Sequence, residues 1–134
     1  MVTLIILGLA STAVLLAMPD PRGELRDEGE RLAARLAAAR DAAIVGGRDM
    51  ALRVDSSGYA VETRRGGTWV PAEARAFAPR RWPEGTAVEV APVLKRITFD
   101  VTGLATPATV RLVRGGAVAR VTVEAAGAVH VDAG

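Results

Sequence analysis

The sequence predicts an α+β protein: a long, kinked N-terminal helix followed by a small antiparallel β domain, with two sheets expected and a single sheet the alternative. Three observations predict it. Residues 2–18 are apolar almost without interruption. Apolar residues then recur in steps of four and three from Leu25 to Ala43. After Gly47 the period shortens to two, with glycine pairs between the alternating runs. The expected division is 1–19, a membrane-spanning and assembly helix; 20–46, an amphipathic helix; and 47–134, the β domain.

The first segment reads MVTLIILGLASTAVLLAMPDP, and its first charge is Asp20. A cleavable secretory signal needs a positive start and a small-residue cleavage site. No Lys or Arg precedes the run, and Ala-Met-Pro is a poor cleavage sequence. As a helix rising about 1.5 Å per residue the run reaches roughly 26 Å, slightly short of a bilayer core of about 30 Å. Gly8, Ser11 and Thr12 are the small residues by which helices pack in lipid. A membrane anchor fits best. The alternatives are an unusual signal peptide and a core helix, although a helix apolar all round needs cover on every side. Leu4, Ile5, Leu7, Leu9, Val14 and Leu15 are the candidate packing and anchoring residues. By the positive-inside rule, Arg22 and Arg26 after the run place its C-terminal side in the cytoplasm or carry no information.

Pro19 and Pro21 kink the chain, and Asp20 can cap a second helix. Leu25, Gly29, Leu32, Leu36, Ala39 and Ala43 draw one narrow stripe along that helix. Arg26/Glu30 and Asp27/Arg31 stand at i,i+4 on its other faces. Gly46-Gly47 ends it.

MALRVD alternates Met50, Leu52 and Val54 with Ala51, Arg53 and Asp55, as a strand with one apolar face does. Gly66-Gly67 joins YAVETRR to TWVP as a hairpin. AEARAFAPRRWPEG is irregular, with Trp82 tucked against the sheet. TAVEVAP and RITFDV are further strands, and TGLATPA is a loop. Gly115-Gly116 joins two more strands, and a short strand containing His130 closes the chain. The two Arg-Gly-Gly turns are hairpins rather than RNA-binding repeats.

Little chemistry is on offer. The chain has no Cys and one His, which removes disulfides, thiol catalysis and the usual zinc sets. His130 and Asp132 share a strand face, but no nucleophile accompanies them. No phosphate loop, metal cluster or cofactor signature is present, so neither an enzyme nor a cofactor is expected. A net charge of +2 is close to balance; sixteen Arg against the single Lys95 reads as codon bias. Arg64, Arg65, Arg80 and Arg81 form two basic pairs that could line an anionic surface.

Several stretches resemble one family. They are ILGLAS at 6–11, EGERLAARLAAARDAAIVGGRDMALRVDSSGY at 28–59, GGTWVP at 66–71, RWPEGTAVEV at 81–90 and ITFDVTGLATPATVRL at 97–112. Their order and spacing are similar to those of the GspH/FimT family, the minor pseudopilins of type II secretion, which share a type IV pilin-like fold. The resemblance implies a structural subunit of a short periplasmic fibre, near its tip. Its partners would be other minor and major pseudopilins and the inner-membrane secretion machinery. It implies a single-pass inner-membrane protein with the β domain in the periplasm. A DNA-binding minor pilin using the four arginines is the alternative within the same fold, with nucleic acid the less favoured partner. An unrelated anchored periplasmic binding module is the third reading. The family's basic leader, the Gly after which prepilin peptidase cuts and methylates, and the Glu at the fifth position beyond are missing; Ile6 stands where Glu would in a TLIE register. Residues 1–11 align better with the segment after that Glu. Met1 is then an internal start, with the leader encoded upstream.

Overall fold

The computed structural model describes residues 21–133. The apolar N-terminal run, its packing residues Leu4 to Leu15, Pro19 and the Asp20 cap lie outside them. Helix α1 (Pro21–Gly46) opens on proline, which suits a first helical position. It closes at Gly47, whose φ of 62° is the left-handed conformation a Cβ would oppose. The stripe read from the sequence is the buried face: Leu25, Leu32, Leu36, Ala39 and Ala43 are all at most 2% exposed. Gly29 lies in the same stripe, against Ala119 and Val131. Arg26 pairs with Glu30 at 3.5 Å as expected, but Arg31 pairs with Glu28 at 3.2 Å. Among the described residues, no helix is long and apolar enough to cross a membrane.

Two antiparallel sheets follow; the alternation predicts antiparallel strands, and two sheets rather than one is the expected division. The first contains β1 (Met50–Val54), β2 (Gly58–Arg65), β3 (Thr68–Pro71), β4 (Arg80–Arg81) and β6 (Arg96–Phe99). Its order is β3-β2-β1-β6, with β4 sharing the β3 edge of β2. The second has the order β5-β7-β8-β9, from β5 (Ala87–Ala91), β7 (Ala108–Arg114), β8 (Ala117–Val123) and β9 (Val129–Ala133). Both glycine-pair hairpins form, and Gly66, Gly67, Gly115 and Gly116 all have positive φ. Helix α1 lies across both sheets, chiefly on β8 and β9 and also on β1. One apolar cluster joins its stripe to Leu52, Val61, Ile97 and Phe99 of the first sheet and Val110, Leu112 and Val121 of the second.

Two details differ from the sequence reading. Residues 72–85 are not wholly irregular: Arg75–Phe77 makes a 3-10 turn, and Arg80–Arg81 adds a two-residue strand to β2. Pro79 and Pro83 hide so short a strand from any reading of periodicity. Strands β1 and β2 are also covered on both faces. Ala51, Ala60, Glu62 and Thr63 are buried although alternation assigns Ala51 and Glu62 to a polar face. Part of that cover is the 72–79 segment, since Ala60 and Glu62 share a small cleft with Ala72, Phe77 and Pro79.

Candidate functional site

A buried polar arrangement lies where α1 meets the 72–82 segment. Glu28 is one residue before Gly29 of the buried stripe, and its side chain is only 1% exposed. A buried carboxylate needs hydrogen-bonded counter-charge. Arg80 supplies it as a fork, donating from Nε to Oε1 at 2.8 Å and from Nη2 to Oε2 at 3.1 Å. Arg31 donates a third bond, Nη1 to Oε2 at 3.2 Å. The Glu28 hydrogen bond is the main reason the Arg80 guanidinium binds its proton even more tightly than usual.

Arg80 is placed by β4, whose partner residues on β2 are Gly58 and Tyr59. Gly58 is required there because a Cβ would sit 2.0 Å from the Arg80 carbonyl oxygen. The turn before it is fixed by Asp55, whose Oδ1 accepts from Ser57 N at 2.8 Å, Ser57 Oγ at 2.6 Å and Gly58 N at 3.0 Å. Those bonds, led by the Ser57 hydroxyl, hold the Asp55 carboxyl below its ordinary range. Trp82 is buried as expected. Its Nε1 donates to the Asp55 carbonyl at 2.9 Å, and its ring lies 4.9 Å from that of Tyr59.

Tyr59 links this cluster to the helix. Burial, and then the Glu28 charge, push its phenol above the usual value. The Arg35 guanidinium stands 5.7 Å from its ring centroid and donates to the Ala78 carbonyl at 2.7 Å. The hydroxyl itself is buried and has no hydrogen-bond partner among the described residues. Arg31, Ala34, Arg35 and Ala38 of α1 face Ala76 and Arg80 across a cleft of about 280 Å³, with Tyr59 in its wall.

The four arginines singled out from the sequence do not gather into one patch. Arg80 and Arg81 stand beside Tyr59 and Gly58, whereas Arg64 and Arg65 lie at the far end of β2. The separation along the strand is roughly 17 Å at about 3.3 Å per residue. Arg64 pairs with Asp49 at 3.8 Å, and with Arg96 flanks the Trp69 ring at 6.0 Å each. Arg65 pairs with Glu73 at 3.8 Å, and Arg96 with the buried Glu62 at 2.6 Å. His130 faces Glu124 at 3.4 Å on the surface. Among the described residues no group of three His, Asp or Glu side chains could hold a metal.

The model of the family described as type II transport protein GspH matches residues 28–127. The chain belongs to the GspH family. Solved structures share the fold of this GspH-family chain. The minor pseudopilin EpsH of the type 2 secretion system of Vibrio cholerae superimposes with a TM-score of 0.72 at 18% identity, over 82% of this chain and 97% of that one. Escherichia coli GspH gives 0.69 at 15% identity, over 87% and 94%. The type IV minor pilin FimU of Pseudomonas aeruginosa gives 0.61 at 19% identity, over 83% and 90%. No curated protein matches the sequence significantly. Family and fold are those of structural pseudopilins, and the pilin-like α+β architecture read from the sequence is the one observed.

Glu28 is the residue that sequence reasoning missed. It lies three residues after Leu25 and four before Leu32, on the flank of the apolar stripe. That position was the available signal; the partner that explains it is 52 residues away.

Proposed function

We propose that this chain is a minor pseudopilin of a type II secretion pseudopilus, a structural and non-catalytic subunit near the fibre tip that supports protein export across the outer membrane. The observation that carries the reading is the family match over residues 28–127. A helix lying across two sheets, with an apolar run leading into it, is what such a subunit needs. Residues 1–19, with Leu4, Ile5, Leu7, Leu9, Val14 and Leu15, anchor the chain in the inner membrane and pack against neighbouring helices. Residues 20–46 continue that contact in the periplasm, and residues 47–134 face outward. The partners are other minor and major pseudopilins and the inner-membrane machinery; prepilin peptidase acts on any leader encoded upstream.

Affinity purification of the full-length tagged chain from detergent-solubilised membranes tests this reading. Other pilin-like subunits should co-purify in comparable amounts. A chain recovered alone from cells that express a working secretion system contradicts the proposal.

A further inference from the structure

Among the described residues, the cleft between α1 and the 72–81 segment gathers three guanidiniums and one paired carboxylate. Arg31, Arg35 and Arg80 line it, and Glu28 pairs with Arg31 and Arg80. Arg80 spends its fork on Glu28. Arg31 gives Glu28 one longer bond and is 57% exposed. Arg35 donates to a neutral backbone carbonyl and rests on the Tyr59 ring. Both guanidiniums therefore retain donors for a second acid.

Two further features favour an acidic segment of another protein as occupant. Arg31, Ala34, Arg35 and Ala38 follow the i, i+3, i+4, i+7 spacing of one helix face, and the alanines leave room for close approach. Tyr59 is 97% buried in the wall of the cleft, with a hydroxyl that lacks a partner among the described residues. A buried, unpaired hydroxyl is a cost that a native structure usually removes.

We infer that this cleft docks an Asp or Glu side chain carried on a helix of a neighbouring subunit. The incoming carboxylate pairs with Arg31 and Arg35. The inference rests on the pseudopilin reading and names the chemistry of one contact within it.

The test uses the full-length chain in its native membranes. Residues 1–134 contain no Cys, so a thiol placed among them is the only one there. Ala34→Cys puts it on the cleft, and Val45→Cys puts it at the exposed end of α1, where Val45 is 88% exposed. Each is labelled with a maleimide–benzophenone crosslinker, irradiated, and the products are sequenced by mass spectrometry. Ala34→Cys should capture a pilin-like subunit through a peptide with Asp or Glu within one helical turn of the linked residue. Adding R31A and R35A should lower that yield at least five-fold. R31K and R35K, which keep the charge, should retain about half or more of it. Raising the salt should also weaken capture, because the cleft is open to solvent. An unchanged yield in the R31A/R35A chain, with an unchanged melting curve, overturns the inference. So does capture of a segment without acidic residues. If Val45→Cys captures pilin-like subunits and Ala34→Cys does not, the docking cleft is wrong and the pseudopilin reading stands. If neither position captures one, both fall.

Discussion

The Glu28–Arg80 pair should behave asymmetrically when its two halves are removed. Glu28 is 1% exposed, while the Arg80 side chain is 37% exposed. In Glu28→Ala the freed guanidiniums of Arg80 and Arg31 can turn into water, so the loss is confined to three charge-assisted bonds and a small cavity. A charged hydrogen bond contributes about 1.5–3 kcal/mol net when both groups are well placed. Hydration of the released Arg80 returns part of that, leaving a cost of about 2 kcal/mol. Arg80→Ala instead leaves a buried carboxylate with Arg31 alone, at 3.2 Å. Removing one member of a buried pair costs about 3–5 kcal/mol, and Arg31 offsets some of it, so about 3 kcal/mol is expected. The double variant should cost less than the two losses added, by about 1–2 kcal/mol. Urea unfolding of the full chain in mild detergent, followed by tryptophan fluorescence, measures all three. A Glu28→Ala loss larger than the Arg80→Ala loss refutes this reasoning. Additive losses within about 0.3 kcal/mol do the same.

Gly29→Ala should be neutral or stabilising by up to about 1 kcal/mol, because Ala is the better helix former. The new methyl would rest 3.5 Å from Ala119 and Val131, an ordinary contact; the midpoint of urea unfolding reports the outcome. Gly58→Ala should lose about 1–3 kcal/mol. Its methyl would strike the Arg80 carbonyl, displacing β4 and red-shifting Trp82 emission as that ring becomes wet. Asp55→Ala should flatten the acid limb of stability. The folded-state value is lowered from 3.8, so its contribution is complete above that pH and disappears as pH falls through the lower folded value. Thermal melts between about pH 2 and 6 compare the two chains across that window.

Much of this fold is written in local periods. The Leu25-to-Ala43 stripe is the buried face of α1 because steps of three and four keep to one side of a helix. The hairpins at Gly66-Gly67 and Gly115-Gly116 rest on positive-φ backbone angles that glycine adopts without strain. Features that depend on distant partners were not legible. Glu28 reads as a solvent charge until Arg80 is brought beside it by Gly58 and two residues of strand. Arg80 reads as a free cation for an outside anion, yet its fork is taken by its own helix. Glu62 alternates onto a face that would be wet if the 72–79 segment did not cover it and Arg96 did not pair with it. Arg31 and Arg35 read as charges on the polar side of the helix until the 72–82 segment sets the Ala78 carbonyl and Arg80 opposite them.

Protein export tests the pseudopilin role most directly. Deleting the gene and comparing the proteins in the medium with those in the periplasm measures it. A set of proteins should leave the medium and accumulate in the periplasm, and the full-length chain supplied in trans should restore their export. An unchanged set of secreted proteins in the deletion strain contradicts the role.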